Sequence, residues 1–203
     1  MKEFSTFEYL EFMEIKIKEI IDKAVNKLKS GQIILCPTDT IYGLSCDAFN
    51  VEALNKVKNN KSRDSSNGFI VLVESDRMLQ QVVKNVPDLV WDIIDYANSP
   101  LTLVLEANSS LPKELIQEDG TVAVRYIKDG IIKEIIKRLN KPIISTSPNK
   151  SGEAYPPSLE NISKEIINSC DFVIPKEYAK NLSGKPSKIM KIVSNGEVEI
   201  LRK

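Results

Sequence analysis

Residues 32–48 read QIILCPTDTIYGLSCDA, two apolar runs with a short polar segment between them. The first run, QIILCP (32–37), is rich in isoleucine and ends at Pro37, which marks a short buried strand. The hydroxyl-rich TDT (38–40) follows, and IYGLSCDA (41–48) begins a second extended piece.

Upstream, Ile17, Ile20, Ile21, Ala24 and Leu28 keep helical spacing, and Gly31 is a stop signal. Residues 1–16 read as a lead-in and 17–203 as one domain, with no internal repeat, low-complexity tract or linker. Downstream, 51–58 reads as a short helix and NNKSRDSSNG (59–68) as a loop. FIVLV (69–73), PLTLVLEA (100–107), TVAVRY (121–126) and PIISTS (142–147) read as strands, and 171–174 and 187–193 as extended segments. Helical spacing marks the residues behind Ser75 and behind Pro87, and again 131–139 and 159–167; LPKELI (111–116) is a turn or short helix. Asn195-Gly196 is a two-residue hairpin signal between the last two strands. Strands and helices interleave without regular alternation. That pattern predicts an α/β or α+β fold: a mixed, twisted sheet with flanking helices.

The composition narrows the chemistry. Hydrophobic residues make up 42% and charged residues 28% of the 203, as in a soluble globular protein, and no apolar stretch is long enough to span a bilayer. The amino terminus carries acidic residues and lacks an uninterrupted apolar segment, so it does not read as a secretory signal, and a cytoplasmic location is expected. Three widely separated cysteines (Cys36, Cys46, Cys170) suit neither a disulfide framework nor a zinc site, and no metal ligand set is expected. There is no histidine, which removes Ser-His and Cys-His nucleophiles and imidazole bases together. Catalysis here must rest on positioning, hydroxyls, Lys and Arg, carboxylates or backbone amides. Twenty-eight basic residues balance twenty-eight acidic ones, so no global field draws the protein to nucleic acid, although Lys56, Lys58, Lys61 and Arg63 cluster locally.

Several strands end in small polar residues: Thr38 and Thr40, Thr121 beside Arg125, and Ser145, Thr146 and Ser147 before Asn149. Such residues at strand ends line crevices where α/β proteins bind ligands, and they also form turns. Lys61 and Arg63 precede a strand and suit an anionic ligand, Arg as a bidentate fork and Lys as a point charge; they equally suit a solvated loop. Arg125 follows an alternating pattern directly, which fits a ligand contact or a structural ion pair. Neither standard phosphate-loop pattern is present. From the residues alone, this is an anion- or nucleotide-binding α/β domain.

Taken together, PTDTIYGL (37–44), KSR (61–63), SPLTLVL (99–105), TVAVR (121–125), PIISTSPNKSG (142–152) and EILR (199–202) follow the order and spacing of one family. From about Ile17 to Arg202 the chain resembles the Sua5/YciO/YrdC/YwlC family, in its short TsaC-like form without the added Sua5 carboxy-terminal domain. The resemblance implies a YrdC/RibB-like single domain. It implies an L-threonylcarbamoyladenylate synthase, a nucleotidyltransferase that makes threonylcarbamoyl-AMP from threonine, bicarbonate and ATP for tRNA t6A37 modification. Mg2+ would accompany ATP. Partners implied are tRNA or double-stranded RNA and the proteins of t6A transfer, with no membrane. The alternative the family offers is a YciO-like RNA- or nucleotide-binding relative without this turnover.

The resemblance also implies roles. Lys61 and Arg63 are the catalytic pair and approach the nucleotide phosphates. Thr40, Tyr42, Arg125, Ser145 and Lys188 face threonine. Asn67, Thr121, Ser147, Asn149 and Arg202 face the nucleotide. The chain departs from the family at KSRDSSNG where many members have KxRP, at Leu72 where some have His, at NSPLT (98–102) for PGPxT, and at Ser187-Lys188-Ile189 for S-T-[IV].

Overall fold

The structure is a computed structural model that describes residues 6–61, 68–180, 182–193 and 196–203. Its elements in chain order are α1 (Thr6–Lys29), β1 (Ile34–Pro37), β2 (Tyr42–Asp47), α2 (Val51–Asn60), β3 (Ile70–Val73), α3 (Asp76–Val82), α4 (Asp88–Tyr96), β4 (Leu101–Glu106), β5 (Thr121–Tyr126), α5 (Gly130–Leu139), β6 (Ile143–Thr146), α6 (Lys164–Asn168), β7 (Phe172–Val173), β8 (Lys188–Ile192) and β9 (Val198–Arg202). Nine strands form one sheet in the order β7-β1-β2-β6-β3-β5-β4-β8-β9. The sheet is mixed, as expected. β1 pairs antiparallel with β2, β2 and β3 both pair antiparallel with β6, and β3 lies parallel to β5. β4 pairs antiparallel with β5 and parallel with β8, which forms a final antiparallel pair with β9.

β1, β2 and β6 are buried along their whole length. Two helices cover one face together: α1 buries Ala24, Val25 and Leu28, and α5 buries Ile132, Ile135, Ile136 and Leu139. Strand alternation separates that core from the opposite face. On β4, Leu103 and Leu105 join the core while Thr102 and Val104 line a cavity; on β5, Val122 and Val124 join the core while Ala123 and Arg125 line the same cavity.

Two boundaries differ from the sequence reading. α1 begins at Thr6, well before Ile17. No Gly or Pro interrupts the chain before Gly31, so the helix continues past the point where its apolar stripe finds the core; Phe12 and Ile15 are exposed. The helix expected over 159–167 is a 3₁₀ turn at Leu159–Asn161 followed by α6. Ser163 restarts the helix as its N-cap, its side chain accepting from Ile166 N at 3.3 Å. Asn195 lies outside the described residues, but Gly196 has φ +85° and Val193 N donates to Glu197 O at 3.0 Å beside that turn.

Candidate active site

The TDT loop is shaped by its own hydroxyls. Thr38 Oγ1 donates its single proton to Ile41 O at 2.7 Å, so it can only accept from Thr40 N (3.1 Å) and from Thr40 Oγ1 (2.8 Å). With its proton so committed, Thr40 Oγ1 accepts from Arg125 Nη1 at 3.1 Å. The second terminal nitrogen of Arg125 lies 3.3 Å from Asp39 Oδ1, an ion-pair contact without hydrogen-bond alignment. Arg125 is only 4% exposed and its Nε has no partner. Burial pulls its pKa down and the Asp39 carboxylate opposes that shift; burial pushes Asp39 up, and Arg125 opposes it. Arg125 therefore makes a structural ion pair and also lines the cavity.

That cavity, about 380 Å³ in volume, is lined by Thr40, Tyr42, Arg125, Ser145, Ser147, Asn149 and Arg202 among others. Seven expected site residues therefore converge on one hollow. Tyr42 is fixed by its hydroxyl, which donates to Ile174 O at 3.2 Å. Asn149 spends its Nδ2 on Glu153 O (2.7 Å) and Lys150 O (3.2 Å), leaving its buried Oδ1 without a hydrogen-bond partner. Arg202 donates from Nε to Ser187 O at 2.8 Å, and Ser187 Oγ shares a 2.8 Å hydrogen bond with Thr102 Oγ1.

Lys61 follows α2 as its C-cap and is fully buried. Its ammonium donates to Ser147 O and lies 3.4 Å from Ser147 Oγ, so it reaches the cavity through a lining residue. Two expected residues take other positions. Thr121 Oγ1 donates to Asp119 Oδ1 at 2.6 Å, and Thr121 does not line the cavity. Lys188, at the start of β8, is exposed while its neighbours Ser187 and Ile189 line the cavity. Arg63 and Asn67 lie outside the described residues. Leu72 is buried in the core.

Sequence reasoning missed Asp39, Thr102 and Ser187 as parts of this arrangement. Thr102 was readable in principle, since it breaks the apolar run of β4 on the face opposite Leu103 and Leu105. Asp39 and Ser187 owe their places to long-range contacts. A second hollow of about 270 Å³ is lined by Leu101 and Leu103, on the other side of β4, and none of the expected site residues lines it.

A relative from Methanocaldococcus jannaschii is 30% identical over 191 residues, 94% of this chain and 88% of its own. A Pseudoalteromonas atlantica protein named threonylcarbamoyl-AMP synthase is 32% identical over 165 residues, 79% of this chain and 86% of its own. Among solved structures, that of Pyrococcus abyssi Sua5 complexed with L-threonine superposes with a TM-score of 0.80 at 24% identity, covering 92% of this chain; the chain spans about half, 54%, of that structure's length. The Sua5/yciO/yrdC family model, described as "Telomere recombination", matches residues 26–203. With that match over most of its length, and with the mixed sheet and the site face on which the motifs meet, the chain belongs to the Sua5/YciO/YrdC family.

Proposed function

We propose that this chain is an L-threonylcarbamoyladenylate synthase, joining L-threonine, bicarbonate and ATP into threonylcarbamoyl-AMP with release of pyrophosphate. The observation that carries the reading is that residues expected to contact the amino acid (Thr40, Arg125, Ser145) and residues expected to contact the nucleotide (Ser147, Asn149, Arg202) line one cavity. Ser145 lies in β6 and Ser147 directly follows the strand's last residue, Thr146, so both sets meet where β6 ends.

The threonine carboxylate pairs with the Arg125 guanidinium, whose geometry Asp39 and Thr40 hold. The free amine attacks the carbon of carbon dioxide derived from bicarbonate and loses a proton to solvent. A carbamate oxygen then attacks the α-phosphorus, the bond to the bridging oxygen of the β-phosphate breaks, and pyrophosphate leaves. Lys61, Arg63 and Arg202 offset the phosphate charge, Ser147 and Asn149 hold the nucleotide, and Tyr42 walls the amino acid. No covalent enzyme intermediate is needed, so a histidine-free site suffices; alignment and charge neutralisation supply the acceleration. Magnesium would come with ATP as part of the substrate and would add charge neutralisation at the phosphates. Among the described residues no three His, Cys, Asp or Glu side chains gather as a metal site.

The product is a labile mixed anhydride that must be passed on quickly. We place its use in tRNA t6A37 formation in the cytoplasm, with tRNA and t6A-transfer proteins as downstream partners. Among the described residues no helix is long and apolar enough to cross a membrane. The test is pyrophosphate release by the purified protein with each substrate omitted in turn. Release that needs all three, and that falls at least ~100-fold in both Lys61→Ala and Arg63→Ala, supports the proposal. Release independent of threonine, or none at all from folded protein, overturns it.

A further inference from the structure

Gly43 sits in β2, inside the PTDTIYGL motif, diagonally across from Ser145 of β6, whose direct partner is Ser45. Its backbone does not require glycine: Gly43 is absent from the positive-φ positions, unlike Gly120 at +78° and Gly130 at +84°. What requires glycine is space. A Cβ at residue 43 would lie 2.1 Å from Ser145 Oγ, but 3.5 Å from both Ser145 Cβ and Thr146 O, which is ordinary contact. The hydroxyl alone occupies the place where a side chain would be.

Ser145 is 5% exposed and lines the cavity, and no side-chain hydrogen bond of its hydroxyl is found among the described residues. It is held by packing on Gly43 and not by a bond to protein, so its donor and acceptor remain available to a ligand. We propose that Gly43 is a positioning residue for the amino-acid half of the site, its missing side chain forming the socket that holds the Ser145 hydroxyl in its rotamer. This rests on the reading that the cavity takes an amino acid. A methyl group in the socket drives Ser145 to another staggered rotamer and takes the hydroxyl away from the substrate.

The experiment is calorimetric titration of L-threonine and, separately, of ATP into wild type, G43A, S145A and G43A/S145A, with thermal melts of each. G43A and S145A are each expected to weaken threonine about tenfold, the scale of one hydrogen bond, and to leave ATP within about twofold. The double variant is expected to bind threonine no more weakly than S145A, because no hydroxyl remains to displace. It should also melt at or above G43A. The inference is overturned if G43A binds threonine like wild type, or if the double variant loses a further factor beyond S145A. Should G43A fail to fold, folding of the double variant supports the clash and its failure to fold overturns it. If wild type itself binds no threonine, the amino-acid reading falls and carries this inference with it. A normal wild type beside additive variants sinks the Gly43 inference alone.

Discussion

In the proposed reading Arg125 carries two duties, a structural ion pair with Asp39 and a contact to the substrate carboxylate. Its guanidinium lines the cavity, 4% exposed, with Asp39 and Thr40 beside its two terminal nitrogens. The Asp39 carboxylate already offsets the guanidinium charge, but Nε has no partner, so a donor remains for a carboxylate substrate. Arg125→Ala should therefore weaken threonine by at least ~100-fold while changing ATP affinity by less than about threefold, measured by titration calorimetry. Arg125→Lys should not restore threonine binding, because a single ammonium cannot span Asp39, Thr40 and the substrate together. Equal loss of both ligands in a folded variant would contradict this division of labour. At this scale the sequence was informative: the types and spacing of Thr40, Arg125, Ser145, Ser147 and Asn149 marked a polar crevice. It could not show that the Thr121 hydroxyl turns to Asp119, because that bond depends on how the preceding turn folds back.

Elements are legible where a local signal decides them and illegible where packing does. Asn50 caps α2 by accepting from Ala53 N at 2.9 Å, fixing the helix that ends at the buried Lys61. Asn50→Ala should cost about 1 kcal/mol, lowering the melting temperature by roughly 2–4 °C. The turn before β5 offers a pH test. Asp119 accepts from Lys191 Nζ at 2.6 Å and from Thr121, and these bonds hold its carboxyl down at about 2. Its folded pKa is thus below the ordinary carboxylate value of about 3.9. The stabilisation is present above that value and is lost as pH falls toward about 2. In melts across this range, Asp119→Asn should show a shallower acid-side decline than wild type; an unchanged slope would remove Asp119 from the account. The early start of α1 was not legible because its apolar stripe meets the core only from about Ile17 onward, while nothing in the preceding residues stops a helix.

For the whole molecule, the consequential contacts join distant parts of the chain. β8 lies parallel to β4, with Thr102 opposite Ile189, and so brings Ser187 against Thr102 and carries Arg202 to the cavity on the neighbouring β9. The irregular interleaving of strands and helices predicted the mixed sheet; it could not supply the strand order, because neighbours far apart in sequence leave no local trace. The family motifs marked the same ends of the chain as parts of one site. The central claim is that threonine and ATP occupy one cavity at once. A crystal structure with L-threonine and a non-hydrolysable ATP analogue tests it most directly. The account predicts the threonine carboxylate on Arg125, its amine facing the α-phosphate, and the phosphates beside Ser147 and Lys61. Ligands in separate hollows, or a nucleotide that leaves no room for threonine beside Arg125, would contradict it.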